Sequence, residues 1–219
     1  MTASRIAEAE GTDCLRIFLA AMTELVGRTE DEDCLLREGK PLLAALVARD
    51  DWLPAAAATP DSQHYQQHLL HCDPLERFSV VSFVWGPGQA TPIHDHGVWG
   101  LVGMLRGAES CRNYVWHEGS LAPVGSHLLR AGQVLSLSPR HGDLHAVANA
   151  HSDRTSISVH VYGANIGAVA RSVFDPATGA RKPFVSGYAN SDIPNIWDRS
   201  EAVRRGLTNA TAVTRSLGD

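Results

Sequence analysis

The stretch GQATPIHDHGVWGLVGMLRG, residues 88–107, decides the fold because it combines two histidines with regularly placed glycines. His94 and His96 stand on either side of one aspartate. On a β-strand, residues two apart face the same side, so both imidazoles would point at one place. Imidazole is the commonest metal ligand near neutral pH. The pair therefore predicts a metal site carried by a strand.

Glycines frame the histidine pair at a characteristic spacing. Five residues separate Gly88 from His94, three separate His96 from Gly100, and six separate Gly100 from Gly107. This spacing resembles the first sequence motif of the cupin superfamily, whose members fold as a double-stranded β-helix. The match differs at Gly100, where most cupins have a glutamate that binds the metal.

A second stretch, GQVLSLSPRHGDLHAVAN at residues 132–149, resembles the second cupin motif, with one extra residue on each side of the proline. Its end, G-x2-H-x3-N, fits without adjustment and makes His145 the third candidate ligand. His141 lies nearby and is the alternative. Most of the other histidines stand in polar or turn contexts that are typical of structural or surface residues.

Three neutral histidines without a carboxylate change the chemistry expected of the site. A divalent metal held in this way keeps its full double charge, whereas non-haem iron oxygenases more often use two histidines and one carboxylate. Such a site favours an anionic ligand from the substrate. A thiolate fits because it is both soft and charged. The three histidines leave three open positions in an octahedral shell, and if the substrate also gives a second donor, one position remains for dioxygen.

The rest of the chain predicts a mainly β fold, a cupin jelly-roll barrel with N-terminal helices. Residues 12–50 carry Leu, Ile and Ala at helical spacing, and Pro41 is expected to open a helix. From Tyr65 onward, short apolar runs alternate with Gly, Pro and Asp turns, as in a sandwich or barrel. We expect residues 1–60 to form a helical segment packed on the barrel. Residues 61–219 would form the barrel and a C-terminal wrap within a single domain.

Composition excludes some classes of partner. The net charge of -5 comes from scattered residues, and no basic patch for nucleic acid or a membrane surface is present. No apolar run of about 18 residues or more occurs. The cysteines are far apart and form no CxxC pair, which favours free thiols in a reducing cytoplasm; they are Cys14, Cys34, Cys72 and Cys111.

The sequence resembles the cysteine dioxygenase family of thiol dioxygenases over residues 65–162. Besides the two histidine stretches, the match rests on SISVHVYG at residues 156–163, which looks like the Ser-x-His-x-Tyr strand of these enzymes. The resemblance implies iron(II), Fe(2+), as the cofactor and a reaction in which a thiol and O2 form a sulfinic acid. The implied partners are a small thiol carboxylate and O2.

Ser158, His160 and Tyr162 alternate along this strand, so their side chains should face one side. A hydrogen-bond chain through them could place the Tyr162 hydroxyl near the metal, where it would donate to dioxygen or to a substrate carboxylate. In mammalian cysteine dioxygenases this tyrosine is cross-linked to a cysteine. The corresponding position here is Gly100, and we therefore expect no thioether at Tyr162.

The sequence YQQ at residues 65–67 bears on which thiol is oxidised. Cysteine dioxygenases have an arginine at the position of Gln67, and that arginine holds the carboxylate of cysteine. Glutamine is neutral and cannot make the charge-assisted fork of a guanidinium. The chain is in this respect most similar to bacterial 3-mercaptopropionate dioxygenases. Arg171 is then the candidate for holding the substrate carboxylate, with Arg140 as the alternative.

3-Mercaptopropionate is the first expected substrate, cysteine the second, and mercaptosuccinate the third, because its extra carboxylate needs another cation. A metal-binding cupin of other function stays open as an alternative. It could be an isomerase, a dioxygenase acting on carbon, or a non-enzymatic sensor or storage protein. Cupins that are isomerases or dioxygenases acting on carbon more often retain the glutamate that Gly100 replaces. The binding protein would not need the Ser158–His160–Tyr162 series.

Overall fold

The computed structural model describes residues 2–117, 119–190 and 199–216, with side chains described as far as residue 208. The described helices are α1 (Thr2–Glu8), α2 (Thr12–Arg28), α3 (Glu32–Val47) and α4 (Ser200–Ser216). The described strands are β1 (Gln66–Cys72), β2 (Ser79–Trp85), β3 (Ile93–His94), β4 (Gly100–Arg106), β5 (Ala108–His117), β6 (Ser120–Arg130), β7 (Val134–Leu137), β8 (His145–Asn149), β9 (Ser156–Tyr162), β10 (Arg171–Phe174) and β11 (Arg181–Phe184). None of the described helices has both the length and the apolar character needed to cross a membrane.

The strands form two antiparallel sheets that enclose a common interior. One sheet has the order β1-β2-β9-β4-β7, and the other has the order β11-β10-β3-β8-β5-β6. Many neighbours in these sheets are far apart in sequence, as is usual when strands cross between the two halves of a jelly roll. The predicted mainly β cupin barrel with N-terminal helices is therefore confirmed.

Strand β9 is buried along its whole length because both faces of its sheet are covered. Ile157, Val159 and Val161 belong to the core cluster that the sheet shares with the N-terminal helices. Side chains alternate along a strand, so the residues between them face the barrel interior. There Tyr162 packs in a second core cluster that also contains Trp85.

The predicted helical region 12–50 consists of two helices, α2 and α3. α3 begins after Asp31, whose side chain accepts a hydrogen bond from the backbone N–H of Cys34 at 2.7 Å. The expectation that Pro41 opens a helix was wrong, because Pro41 lies inside α3. Proline removes a hydrogen bond to the carbonyl four residues earlier. Pro41 and Arg37 are both exposed, so that carbonyl can be hydrated.

The end of the chain is described only in part. β10 and β11 pair with each other as an antiparallel hairpin. Of the expected C-terminal wrap, residues 191–198 and 217–219 lie outside the described residues. α4 contacts the barrel through Arg204, whose guanidinium donates to the carbonyl oxygen of Val185 at 2.7 Å. The boundary at residue 60 between the helical segment and the barrel stays a prediction. α3 ends before this residue, and β1 begins after it.

Two glycines allow α3 and β4 to approach each other closely. A Cβ atom at Gly103 of β4 would lie 2.9 Å from Leu43 Cγ and 2.9 Å from Val47 Cγ1 of α3. A Cβ atom at Gly39 of α3 would lie 2.8 Å from Leu101 Cδ1. These separations are shorter than packed carbon atoms normally adopt. The missing side chains therefore set the distance between helix and sheet.

Gly103→Ala is expected to destabilise the fold by about 1–3 kcal/mol, because the added methyl group overpacks the helix–sheet interface. Chemical denaturation followed by circular dichroism measures the change in the free energy of unfolding. Gly125→Ala is the matched control, since no heavy atom comes within 4 Å of a Cβ atom at this position on β6. Equal stabilities of the two variants would contradict the close approach of α3 and β4.

Candidate metal centre and its cavity

The three predicted ligands come together inside the barrel. The candidate ligand nitrogens of His94, His96 and His145 all lie within 4.8 Å of one another. All three side chains are buried, and each ring packs edge-on against the other two. His94 on β3 pairs directly with His145 on β8 in the register of the sheet. Sheet register therefore positions two ligands from distant parts of the sequence.

His96 is positioned by a loop rather than by a strand, because β3 ends at His94. Asp143 accepts a hydrogen bond from the backbone N–H of His96 at 2.8 Å. The intervening Asp95 accepts one from the backbone N–H of Ser172 at 2.7 Å. The expectation of a pair on one strand was right for His94 and wrong for His96, whose backbone N–H donates to a side-chain carboxylate instead of to a strand partner.

The orientation of two imidazoles is set by contacts at Nδ1. His94 Nδ1 lies 3.1 Å from the carbonyl oxygen of Pro92. His145 Nδ1 lies 3.4 Å from the Sγ atom of Cys111. Both contacts leave Nε2 as the free nitrogen of the ring. Metal-binding histidines commonly use one nitrogen for the metal and fix the ring through the other.

Burial keeps the three imidazoles neutral. Burial lowers the pKa of His94 to about 4. It also lowers the pKa values of His96 and His145 well below the usual range, and the neighbouring imidazoles add to this effect. Metal ligands must be deprotonated, so the cluster is ready for a divalent ion at neutral pH. Nitrogen donors without a carboxylate fit a transition metal better than they fit calcium or magnesium.

Asp143→Asn is expected to lower the affinity for a divalent metal by about 10–100-fold, as is usual when a group that supports a ligand is lost. The neutral amide accepts more weakly from the backbone of His96, and the lost charge lies 3.4 Å from His96 Nδ1. Competition with a chromogenic zinc chelator measures the affinity. The exposed Asp153→Asn is the matched control. An unchanged affinity would mean that Asp143 does not hold His96.

The predicted Ser158–His160–Tyr162 series forms a continuous hydrogen-bond chain. Ser158 Oγ lies 2.8 Å from His160 Nε2, and His160 Nδ1 lies 2.8 Å from the Tyr162 hydroxyl. Burial lowers the pKa of His160 to about 3 and raises the pKa of Tyr162 well above its usual value. The side chains of Ser158, His160 and Tyr162 are therefore all neutral at physiological pH. The Tyr162 ring stacks on His96, so the chain ends beside the metal cluster.

Gly100 leaves room for the ring of Tyr162. A Cβ atom at Gly100 would lie 3.2 Å from Tyr162 Cδ1, so this is a position from which a side chain would contact the ring. All four cysteines of the chain are free thiols. The absence of a thioether at Tyr162 stays a prediction.

A cavity of about 150 Å³ opens onto the cluster and suits a small molecule. Aromatic rings of Tyr65, Phe83 and Trp85 stack on one another and form part of its wall. Tyr162 and Arg171 also line the cavity. Among the lining residues, Arg171 is the one with a permanent charge.

Arg171 is buried without a counterion among the described residues. Its side chain is 5% exposed. One guanidinium nitrogen donates to Ser186 Oγ at 2.7 Å, and the guanidinium carbon lies 4.6 Å from the centre of the Phe184 ring. Nε has no hydrogen-bond partner among the described residues. A cation held in this way can accept an anionic ligand through an N–H group that is already free.

Gln67 lines the same cavity, but its amide nitrogen is already engaged. It donates to Ser186 Oγ at 3.2 Å and to the carbonyl oxygen of Gly187 at 3.1 Å. Because Ser186 also accepts from Arg171, Gln67 and Arg171 are linked through one hydroxyl group. Gln67 thus supports the cavity wall around Arg171.

The two alternative residues lie away from the cluster. His141 is exposed, and its Nε2 atom lies 3.8 Å from a carboxylate oxygen of Asp33. Arg140 pairs with Glu32 and Asp33 at the start of α3. Neither His141 nor Arg140 lines the cavity.

Sequence reasoning missed several residues that support the site, because their roles depend on contacts across the barrel. Asp143 carried a weak signal, since it lies two residues before His145 in the second motif. Cys111 and Trp85 gave none, because isolated cysteine and tryptophan residues are usual in a core. Trp85 Nε1 donates to Ser158 Oγ at 3.3 Å and so joins the hydrogen-bond chain.

The barrel and the buried three-histidine cluster define the chain as a cupin with a candidate metal centre. A sequence model of the family described as "Cysteine dioxygenase type I" matches residues 46–172, which is more than half of the chain. The chain therefore belongs to the cysteine dioxygenase family. This membership makes a metal-dependent thiol dioxygenase the supported class of activity.

Solved structures with a similar fold have low sequence identity to this chain. The TT1209 protein of Thermus thermophilus is 19% identical, with 50% of this chain and 92% of that chain covered and a TM-score of 0.40. An uncharacterized conserved protein with a double-stranded beta-helix domain from Klebsiella pneumoniae is 16% identical, with coverage of 60% and 87% and a TM-score of 0.39. An RmlC-like cupin protein of Desulfovibrio desulfuricans is 21% identical, with coverage of 48% and 89% and a TM-score of 0.35.

Proposed function

We propose that the chain is a non-haem iron(II) thiol dioxygenase that adds both atoms of O2 to the sulfur of a small thiol carboxylate. The observation that carries the proposal is the buried Arg171, which has no counterion among the described residues and shares a cavity with three neutral histidines. An unpaired buried charge costs several kcal/mol. A substrate carboxylate would relieve this cost by supplying the missing anion.

The donor set of the cluster fits iron(II). His94, His96 and His145 would hold it, since they are buried, neutral and close together. When bound, the ion would supply the Lewis acidity that stabilises a thiolate and the redox chemistry that O2 requires. Because all four cysteines are free thiols, a reducing cytoplasm is the location that we expect.

The protein's own residues would bind the substrate and hold a proton. Arg171 would hold the carboxylate, which directs the thiol end of a short acid toward the histidines. Tyr162 would keep its proton at the hydroxyl oxygen, since burial raises its pKa, and could donate a hydrogen bond in the cavity. The aromatic wall formed by Phe83 and Trp85 would exclude water and strengthen these polar contacts.

The charges of the cavity favour 3-mercaptopropionate as its substrate. Arg171 is the one permanent cation among the lining residues, and no lining residue is a carboxylate. Mercaptosuccinate has a second carboxylate that would lack a cation. Cysteine has an ammonium group that would lack a carboxylate, although its amine could bind a metal. A thiol with one carboxylate and no amino group best matches a cavity that has one cation and no carboxylate in its lining.

Oxygen uptake by the iron(II)-loaded protein tests the function. 3-Mercaptopropionate, cysteine and mercaptosuccinate are compared at equal concentration, and products are identified by mass. We expect 3-mercaptopropionate to have the highest kcat/KM and to gain two oxygen atoms. A higher kcat/KM for cysteine would contradict the substrate assignment and leave the dioxygenase intact. The dioxygenase itself would be excluded if no thiol drives oxygen uptake. Tyr162→Phe should lose turnover while still binding iron.

Arg171→Gln is expected to lower kcat/KM for 3-mercaptopropionate by about 10–100-fold, because a hydrogen bond to a charged group contributes about 1.5–3 kcal/mol. Arg171→Lys should have a kcat/KM between those of the unaltered protein and Arg171→Gln, since lysine keeps the charge and loses the planar fork. The uncharged 3-mercaptopropionamide is the matched substrate and should respond little to either change. Equal losses for the acid and the amide would contradict a role in binding the carboxylate.

A further inference from the structure

Glu109 is a buried carboxyl group that the proposed reaction does not use. It lies on β5 with its side chain 2% exposed, and its Oε1 atom has no hydrogen-bond partner among the described residues. Glutamate is almost never fully buried unless it is paired. Leaving such a group without a cation is costly, and its position therefore calls for an explanation.

Glu109 lies at the inner end of the hydrogen-bond chain described above. The Ser158 hydroxyl and the Trp85 indole lie close enough to its carboxyl group to lower its pKa, while burial has the larger and opposite effect. Ser158 Oγ in turn lies 2.8 Å from His160 Nε2. The order of groups is thus Glu109, Ser158, His160 and Tyr162, which runs from the barrel interior to the cavity.

We propose that Glu109 is a positioning residue that sets the direction of the hydrogen bonds from Ser158 to Tyr162, and so decides whether the Tyr162 hydroxyl donates or accepts in the cavity. The proposal rests on the proposed function for its catalytic meaning. The hydrogen-bond geometry itself does not depend on which thiol is oxidised.

The direction follows from counting protons. Neutral His160 has one N–H, which can lie on Nδ1 or on Nε2. If Glu109 is protonated, it donates to Ser158, Ser158 donates to His160 Nε2, and His160 Nδ1–H donates to the Tyr162 oxygen. The hydroxyl hydrogen of Tyr162 is then free to point into the cavity.

The opposite direction follows when Glu109 is ionised. A carboxylate only accepts hydrogen bonds, so the Ser158 hydroxyl turns to donate to it. His160 then carries its proton on Nε2 and donates to Ser158 Oγ. Tyr162 donates to His160 Nδ1 and presents only lone pairs to the cavity. The net change is the loss of one proton, with the hydrogens of the other three groups rearranged.

The surroundings allow this switch in the neutral pH range. Burial raises the pKa of Glu109 to about 7. Its cross-strand neighbours are Leu129 on β6 and Asn149 on β8, and neither titrates. On its own strand, burial raises the pKa of the Cys111 thiol to about 12.

The titratable groups of β9 are also neutral near pH 7. Burial lowers the pKa of His160 to about 3 and raises the pKa of Tyr162. β2 contributes Trp85, which does not titrate. None of the groups named here is therefore a cation that would hold Glu109 in its ionised form.

The tautomer of His160 reports the direction of the chain without any thiol substrate. Long-range proton–nitrogen NMR of zinc-loaded protein, labelled with 15N, distinguishes Nδ1–H from Nε2–H. We expect His160 to change from Nδ1–H to Nε2–H between about pH 6 and about pH 8, on either side of the pKa of Glu109. In Glu109→Gln the amide can donate at every pH, so Nδ1–H should persist. The exposed Glu24→Gln is the matched control and should behave like the unaltered protein.

Kinetics provide the second readout. If the Tyr162 hydroxyl must donate, kcat/KM of the iron-loaded protein should fall about tenfold for each pH unit above the pKa of Glu109, and Glu109→Gln should lack this fall. A single His160 tautomer across the pH range would overturn the proposal. So would the same change of tautomer in Glu109→Gln. If that variant does not fold, Ser158→Ala should uncouple the tautomer from pH. If the His160 tautomer changes with pH but the protein oxidises no thiol, this inference would stand and the dioxygenase function would be rejected.

Discussion

Strand β9 runs through the middle of the five-stranded sheet, with helices against one face and the barrel interior against the other. Its apolar residues satisfy the helix side, so every polar residue at the alternate positions must enter the barrel. Ser158, His160 and Tyr162 are buried in this way, and as neighbours on one strand face they hydrogen-bond to one another along the strand. Their hydrogen-bond chain is therefore a consequence of burial on both faces, and it ends where the Tyr162 ring stacks on His96.

The sequence was informative where local periodicity or motif spacing fixed the geometry. Alternation along one strand was enough to place Ser158, His160 and Tyr162 on one face, and motif spacing found the three histidines. The loop position of His96 and the continuation of α3 through Pro41 were missed, because both depend on tertiary contacts that override local preference. Glu109 was missed because a single glutamate in a strand has no signal of its own until the strand opposite is known.

Two buried ionisable groups give the barrel its electrostatic character, and they differ in their surroundings. Arg171 stays charged because a guanidinium cannot be deprotonated in a protein. It lies where a small anion can reach it, beside Ser186 and Phe184. Glu109 lies among groups that offer it no cation, and burial raises its pKa to about 7. The barrel thus has a fixed positive charge that lines the cavity and, away from the lining, a buried carboxyl group whose ionisation depends on pH.

The hydroxyl of Ser186 accepts hydrogen bonds from both Gln67 and Arg171. Ser186 and Phe184 lie beyond the residues 46–172 that match the family, whereas the three histidines and the Ser158–His160–Tyr162 chain lie within them. The residues that would perform the oxidation thus lie within the matched range, and part of the wall around Arg171 lies in the segment that follows. In evolutionary terms, such a division would let changes in a short C-terminal segment alter which acid the cavity admits while the residues proposed for the oxidation stay the same.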